Sequence, residues 1–411
     1  MIARAALTLL AVAVASDFAF GAEPRGAAPG AFAAVVGDDV DVVLFPGARR
    51  PAPRPSVTVA TRVHASPAAV GAVLLDPARY RAALPSLVHA DVVATRPAAD
   101  PTTGPERLLA WELEIPLFNL KGRAWLSRQR DVVELTLVEG AFAPGHVRFR
   151  VATAPDGKAT ILVSEVQVEA RSANWIIRRV ARHDPWAETA LTAAAAWVVT
   201  RAVALEAESP PHKDVLPRPT APIAAPLATA LDGASLAGGA FASLRKAGVV
   251  AAVHRAPTGR LAWVSAAVAV SGAPEAVAQR VGTPESWQVF PGWKSIKRLP
   301  GQTANELRIA VEDNVAFVDL DATWRVTYGE PSVRATVVDG ATRGAVLGWQ
   351  TFPGVGAASS LTVLSMHPRI DATGYAARKM LATEPLLEHA LALALTYADA
   401  AAVADLLGGA R

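Results

Sequence analysis

Residues 175–206 read WIIRRVARHDPWAETALTAAAAWVVTRAVALE, and residues 375–406 read YAARKMLATEPLLEHALALALTYADAAAVADL. In both copies, large apolar or aromatic side chains recur at intervals of eleven residues. Eleven residues at about 100° each make close to three helical turns, so each set falls on one helix face. The two stretches therefore predict a tandem repeat in which each copy ends in a long amphipathic helix. The recurring residues are Trp175, Trp186 and Trp197 in the first copy and Tyr375, Leu386 and Tyr397 in the second.

The residues before each long helix alternate between apolar and polar types, which predicts strands of an antiparallel sheet. In the first copy a strand opens at residue 57, and Ser66 followed by Pro67 favours a helix start. Pro77 and Pro85 break the helical stretch that follows into two short helices. From about residue 108 the copies align at a constant offset of 200 residues without a gap, which supports the repeat. The predicted strands are 87–95, 107–115, 120–128, 131–139, 146–153 and 160–170, then 306–311, 315–327, 332–339, 344–351 and 359–369.

The 411 residues are enough for two domains of ordinary size together with a leader and linkers. Residues 1–21 have the anatomy of a cleaved signal peptide: Arg4, a short apolar core, and small residues at Ala19 and Gly21. We therefore expect a periplasmic or secreted protein. The predicted organisation is a signal peptide at 1–21, a Pro/Ala-rich segment at 22–56, domain 1 at 57–208, a Pro-rich linker at 209–259 and domain 2 at 260–409.

Composition excludes several classes of function. The chain has no Cys, so disulfides, thiol catalysis and thiolate metal sites are excluded. The formal net charge is +3 without a dense basic run interleaved with aromatics, so no nucleic-acid partner is expected. None of the common catalytic, phosphate-binding or metal-binding motifs occurs, so we expect no cofactor, no metal and no catalytic residue. Together these features favour a binding protein over an enzyme.

Three motifs resemble the START lipid-transfer domains and the wider helix-grip superfamily, which includes polyketide cyclases. Ser66–Val70 and Asp76–Tyr80 are similar to the opening helix pair of that family, and Trp175–Arg179 with Pro185 is similar to its C-terminal helix. The resemblance covers about 57–206 and 262–408. It implies an α+β fold of two helix-grip domains in tandem, each a curved antiparallel sheet wrapped round a long C-terminal helix. It also implies a cavity between sheet and helix for a hydrophobic small molecule or lipid.

The residue pattern points to the same cavity. One helix is about 10 Å across and cannot cover a sheet of seven strands, so a cleft should remain beside it. Small residues such as Ala190 leave room opposite the sheet, and the helix tryptophans would line its ends. A row of aromatic residues at helical spacing is also common in a plain core, so a filled cavity remains possible. The candidate ligand-binding residues are Trp111, Leu113, Phe149, Trp186, Ala190, Trp197, Asp313, Trp349, Leu386 and Tyr397.

Two alternatives stay open beside an exported protein that carries or presents a lipid. One is a cyclase or dehydratase of the same fold, for which Asp313 is the only candidate acid in a cavity; the pattern favours a solvated turn at Asp313-Asn314. The other is a structural or interaction module with both cavities filled. Arg178, Arg179 and Arg182 form a basic cluster that is either a solvated helix face or a peripheral contact for anionic lipid headgroups.

Overall fold

A computed structural model describes most of the two repeats. The described residues fall into two units, the first within 28–208 and the second within 234–408, and each unit is described by itself. The predicted signal peptide, the cluster Arg178, Arg179 and Arg182, and Trp175 lie outside the described residues. The structure describes residues 28–46, 55–98, 103–115, 118–169, 186–208, 234–290, 292–315, 318–329, 332–354 and 359–408.

Within its described residues, the first unit has an eight-stranded antiparallel sheet and three α-helices. Ser66 and Asp76 cap the two short helices, because their side chains accept hydrogen bonds from the backbone N–H groups of Ala69 and Ala78. A proline follows each cap at the first helical position, as predicted. The elements are β1 Val40–Pro46, β2 Ser56–Val63, α1 Pro67–Leu75, α2 Pro77–Ala83, β3 Leu87–Arg96, β4 Glu106–Ile115, β5 Phe118–Gln129, β6 Val132–Gly140, β7 Gly145–Thr153, β8 Thr160–Val168 and α3 Ala187–Glu208, preceded by a 3-10 helix at Pro29–Ala31.

The strand order across the first sheet is β3-β4-β5-β6-β7-β8-β2-β1. Helix α3 packs on β2 and β8, and its end is supported by α1 and α2. We call the sheet face that meets α3 the inner face and the opposite face the outer face. The short helix at Pro29–Ala31 contacts β7 and β8, so the N-terminal segment belongs to this unit.

The second unit repeats this arrangement. Its strand order is β11-β12-β14-β15-β16-β17-β10-β9, antiparallel throughout, and its long C-terminal helix packs on β10 and β17. The elements are α4 Ala234–Ala237, α5 Ala242–Ala247, β9 Gly248–Arg255, β10 Leu261–Ser271, α6 Pro274–Val281, β11 Trp293–Arg298, β12 Glu306–Val315, β13 Val318–Asp319, β14 Ala322–Gly329, β15 Ser332–Gly340, β16 Val346–Pro353, β17 Ser359–His367, α7 Tyr375–Thr383 and α8 Leu386–Leu406, with 3-10 helices at Gly239–Phe241, Pro284–Val289 and Ile370–Thr373.

Two sequence-based boundaries need correction. Residues 248–255, which the composition places in the linker, form strand β9 and pair with β10. Asp313 and Asn314 do not form a turn: they lie in β12, where Asp313 faces Trp293 of β11 and is half-buried. The turn prediction failed because the local sequence does not show that β11 continues the ladder alongside these residues.

The constant offset between the repeats is reproduced in the hydrogen-bond register. A β-bulge lies between Arg123 and Ala124 in the first sheet and between Thr323 and Trp324 in the second. Next to each bulge lies the glycine that ends the next strand, Gly140 paired with Gly122 or Gly340 paired with Ala322, with φ of 78° and 105°. A Cβ at either glycine would lie 2.2 or 2.3 Å from a backbone oxygen of the neighbouring strand. Only glycine fits this position, which explains why both repeats have it.

Helices α3 and α8 are long and apolar enough to cross a membrane by length and composition. In these helices, 83% and 94% of the most apolar window is buried inside the fold. Burial of this extent is typical of core helices, in agreement with the sequence-based interpretation of α3.

Gly140→Ala should destabilise the first unit by about 1–3 kcal/mol or more, because it combines a positive φ with a backbone clash. Gly157→Ala is the matched control: Gly157 also has a positive φ, 69°, but a Cβ there would meet nothing within 4 Å. We expect the control to cost clearly less in urea unfolding followed by circular dichroism. Equal losses for the two variants would contradict the steric explanation of the bulge.

Candidate functional site

The inner face of the first sheet is filled near the C-terminal end of α3. Phe149 is 1% exposed and packs with Leu109 and Leu126 of the sheet and with Val203 of α3. Helix α1 closes the same end: Arg107 of β4 donates a hydrogen bond to the backbone oxygen of Leu75, the last residue of α1, at 2.5 Å. Phe149 is therefore a core residue in this unit.

A buried polar network lies where α3 crosses β1 and β2. Thr61 Oγ1 and Trp197 Nε1 donate hydrogen bonds to the two carboxyl oxygens of Asp41, at 2.6 and 3.1 Å. Arg201 of α3 donates to Thr61 Oγ1 at 3.4 Å. Asp41, Thr61 and Trp197 are fully buried. The network fixes the helix on the sheet and engages the polar edge of the Trp197 ring.

The far end of the first inner face is more open. Trp111 and Leu113 of β4 are half-buried, and the Trp111 ring lies over Gly122 of β5. A Cβ at Gly122 would lie 2.4 Å from that ring, so the glycine provides the space that the indole occupies. The buried Trp111 Nε1 has no hydrogen-bond partner. This indole N–H is a buried donor whose hydrogen-bonding capacity is unused.

The second unit fills the middle of its inner face with aromatic side chains. Trp287, Phe290, Trp293, Trp324 and Trp349 form a chain in which neighbouring rings have centroids 5.0–6.2 Å apart. Offset and edge-to-face contacts at such distances add to the stability that burial gives.

The strand register shows which residues of the first unit occupy the positions equivalent to these tryptophans. Trp293 faces Asp313 as Leu87 faces Leu113, and Ala124 and Phe149 correspond to Trp324 and Trp349. At these three positions the second unit has tryptophan where the first unit has Leu87, Ala124 and Phe149, so larger side chains fill the middle of its inner face.

A groove of about 790 Å³ remains in the second unit between this aromatic cluster and the turn after α6. Its volume lies within the ~300–1,000 Å³ typical of small-molecule sites. Apolar side chains on its wall include Val281, Val333 and Trp349, all almost fully buried. The remaining lining residues are Pro274, Glu275, Ala278, Gln279, Gly282, Thr283, Pro284, Arg298, Asn305, Tyr328, Gly329, Ser332 and Thr351.

The rim of this groove is polar, with one ion pair and the exposed carboxylate of Glu275. Arg298 donates two hydrogen bonds to the carboxylate of Glu285, at 2.5 and 3.0 Å, which lowers the pKa of Glu285 and raises that of Arg298. Partial burial raises the pKa of Tyr328. Its phenol is therefore protonated at neutral pH and can donate or accept a hydrogen bond. A ligand head at this rim would meet neutral polar groups, an ion pair already formed and the carboxylate of Glu275.

The predicted site residues do not form one cluster. Trp186, Ala190, Leu386 and Tyr397 are buried on or beside the long helices, and Asp313 is half-buried on β12. Of the ten, Trp349 lines the 790 Å³ groove, and Trp111 lines a shallow polar hollow of about 510 Å³. Ligand contact by these residues stays a prediction.

Several residues of these sites were not identified from the sequence. The aromatic cluster was visible as three aromatic residues in SWQVFPGW, residues 286–293, but its packing depends on Trp324 and Trp349 from distant strands. Tyr328 and Thr351 gave no local signal. Among the described residues, no group of three or more His, Cys, Asp or Glu could hold a metal ion.

No known family model matches this sequence, and no curated protein sequence does. Similar solved structures include the di-domain ARO/CYC StfQ from the steffimycin biosynthetic pathway, which is 11% identical. The match covers 84% of this chain and 98% of that chain, with a TM-score of 0.27. The Zhui aromatase/cyclase from Streptomyces sp. R1128 has 17% identity over 34% of this chain and 92% of its own, with a TM-score of 0.26. A STAR-related lipid transfer protein fragment from Xanthomonas axonopodis has 15% identity. The match covers 39% of this chain and 93% of that fragment, with a TM-score of 0.28.

Likenesses this weak say nothing about ligand or reaction. The fold follows from the chain's own strand order. Both units have one strand order, two helical segments after their second strand, and a long C-terminal helix against the sheet. That order is a tandem START-like, helix-grip fold, and it confirms the predicted α+β class.

Trp197→Phe should destabilise the first unit by about 1–3 kcal/mol more than Trp349→Phe destabilises the second. Both changes replace a buried indole by the smaller phenyl ring. Only Trp197 Nε1 donates a hydrogen bond, whereas the buried Trp349 Nε1 has no partner. Urea unfolding of both variants gives the two free energies. Equal losses would show that the bond to Asp41 contributes nothing.

Proposed function

We propose that the groove of the second unit binds an apolar small molecule, in the first place a lipid, and that the protein carries or presents this molecule. The observation that supports this most is the coincidence of a 790 Å³ opening with an apolar wall on the inner face. In this proposal each curved sheet wraps round its long C-terminal helix, and the groove is the part of the cleft that the helix leaves uncovered.

Binding would be non-covalent. Apolar surface transferred from water to the wall at Val281, Val333 and Trp349 contributes about 25 cal/mol per Å². Tyr328, Gln279 and Thr351 would orient the head of the molecule by hydrogen bonds, at little gain in net free energy but with a gain in specificity. The aromatic cluster limits how deep the molecule reaches.

A cyclase or dehydratase of the same fold remains the second candidate. Such an enzyme needs an acid and a base facing the bound molecule. The titratable side chains that line the groove are Glu275, Arg298 and Tyr328, and Tyr328, as a neutral phenol, is the one able to donate a proton to a ligand oxygen. Conversion of a bound polyketide-type substrate, lost in Tyr328→Phe, would favour this candidate over carriage.

Ala278→Trp should weaken ligand binding at least about tenfold, because the indole would occupy the groove from the face of α6. Ala276→Trp is the control: it adds the same side chain to an exposed position of the same helix that does not line the groove. Nile red is a suitable neutral apolar probe, read by its fluorescence. Organic extraction and mass spectrometry of the protein purified from its host would identify the natural ligand.

Two results would contradict the proposal. Wild-type protein that neither binds the probe nor retains a stoichiometric lipid would favour a structural module. Equal binding by the Ala278→Trp and Ala276→Trp variants would move the site away from this groove. Circular dichroism should show that both variants are folded.

We further propose that the chain is exported by the signal peptide at 1–21 and acts in the periplasm or outside the cell, with peripheral contact to membranes that exchange lipid with it. The support is the sequence anatomy of residues 1–21. N-terminal sequencing of the mature protein should begin at Ala22, and the protein should appear in the exported fraction. A cytosolic protein that begins at Met1 would refute export.

A further inference from the structure

A second groove, of about 630 Å³, lies at the turn between β5 and β6, where the edge of the first sheet meets the outer face of β6 and β7. Four arginines line it, two on β5 and its turn, Arg128 and Arg130, and two on β7, Arg148 and Arg150. None of the proposed ligand groove's residues belongs to it. The other lining residues are Ala98, Thr103, Glu106, Gln129, Asp131, Val132 and Glu134.

Neighbouring carboxylates hold two of these arginines in place. Arg148 Nε donates a hydrogen bond to Glu134 Oε2 at 3.2 Å, and Arg150 Nη1 lies 3.8 Å from Glu165 Oε2. Both arginine side chains are mostly buried, with 19% and 24% exposure. A guanidinium carries five N–H donors in a rigid fork, more than one carboxylate accepts. Arg148 and Arg150 are therefore ordered donors at the groove wall.

The other two arginines are exposed at the turn. Arg128 Nε donates to the backbone oxygen of Arg130 at 3.2 Å, and no carboxylate of the described residues lies within ion-pair distance of either guanidinium. Arg130 has a φ of 55°, a left-handed conformation that Gly or Asn adopts at lower cost.

The acidic side chains of the lining do not neutralise this pair. Glu106 accepts a hydrogen bond from Arg96 at 2.6 Å, and Glu134 accepts from Arg148. Asp131 is the remaining carboxylate, and it is exposed. The turn therefore keeps an excess of positive charge beside two arginines that are held in position.

The second repeat provides an internal comparison. At the offset of 200 residues, Arg128, Arg130, Arg148 and Arg150 correspond to Tyr328, Glu330, Gly348 and Gln350. The strands around them have the same register in both sheets. Because the fold forms without any of the four arginines in the second repeat, they are not a requirement of the architecture.

We propose that this outer groove of the first unit binds a phosphate group. Guanidinium forks match the oxygens of phosphate in pairs, and charge-assisted hydrogen bonds of this kind are about twice as strong as neutral ones. The volume admits a soluble phosphate ester or the headgroup of an anionic phospholipid. Arg128 and Arg130 make the primary contacts, and Arg148 and Arg150 complete the wall.

The test uses the mature full chain and three probes. Inorganic phosphate and pyrophosphate are titrated by calorimetry at constant ionic strength, and vesicles of phosphatidylcholine with or without phosphatidic acid are used in sedimentation. The double variant R128Q/R130Q should bind at least about tenfold more weakly than wild type. R128K/R130K should recover part of the loss, because lysine keeps the charge but not the bidentate geometry.

Arg123→Gln is the matched control. Arg123 is an exposed arginine of the same strand that pairs with Glu139 and does not line the groove, so its removal should leave binding unchanged. Binding of the soluble phosphates identifies a soluble ligand, and binding confined to phosphatidic acid vesicles identifies a lipid headgroup. Absence of saturable binding to every probe, or equal losses in R128Q/R130Q and R123Q, would overturn the proposal. Nile red binding by R128Q/R130Q should stay at the wild-type level.

Discussion

A curved antiparallel sheet has one apolar face to cover, and one helix is too narrow for the task. Strands are about 4.8 Å apart and a helix is about 10 Å wide, so a helix covers two strands of eight. In both units the long helix packs on two strands, β2 and β8 or β10 and β17. What covers the other strands decides whether a unit is a solid core or a container, and the two repeats differ most at these places.

The repeats solve this problem with different side chains. The first unit places Phe149 in a core cluster with α1 and α3, and extends Trp111 over a glycine at the far end. The second unit packs five aromatic rings against one another along its middle and leaves an open groove beside α6. A duplicated fold can thus divide its tasks: one copy keeps a space on the inner face while the other acquires charge on the outer face.

Sequence patterns predicted most of the fold because they depend on local periodicity. The strand positions from β3 to β8, the caps at Ser66 and Asp76, and the offset between repeats are all consequences of alternation, capping and repetition. The strand β9 and the strand position of Asp313 were not predicted, because each is decided by pairing with another strand.

The candidate sites were predicted less well, since a site brings together residues that are far apart in sequence. Trp197 stood out by helical spacing, but its partner Asp41 lies in a segment with no assigned role. The groove combines α6 with β14, β15 and β16, and the arginine groove combines a turn with β7. Alternation showed which sheet face each residue occupies, but could not show which faces leave a space.

The network at Asp41 also sets when the first unit can become stable. Asp41 and Trp197 are 156 positions apart, Thr61 and Arg201 are 140 apart, and Arg79 and Glu206 are 127 apart. Asp41 therefore gains its hydrogen bond from Trp197 only when the last helix of the repeat has been made. Contacts between such distant residues form slowly. A chain that ends before this helix lacks the bonds that Trp197 and Arg201 make to the first two strands.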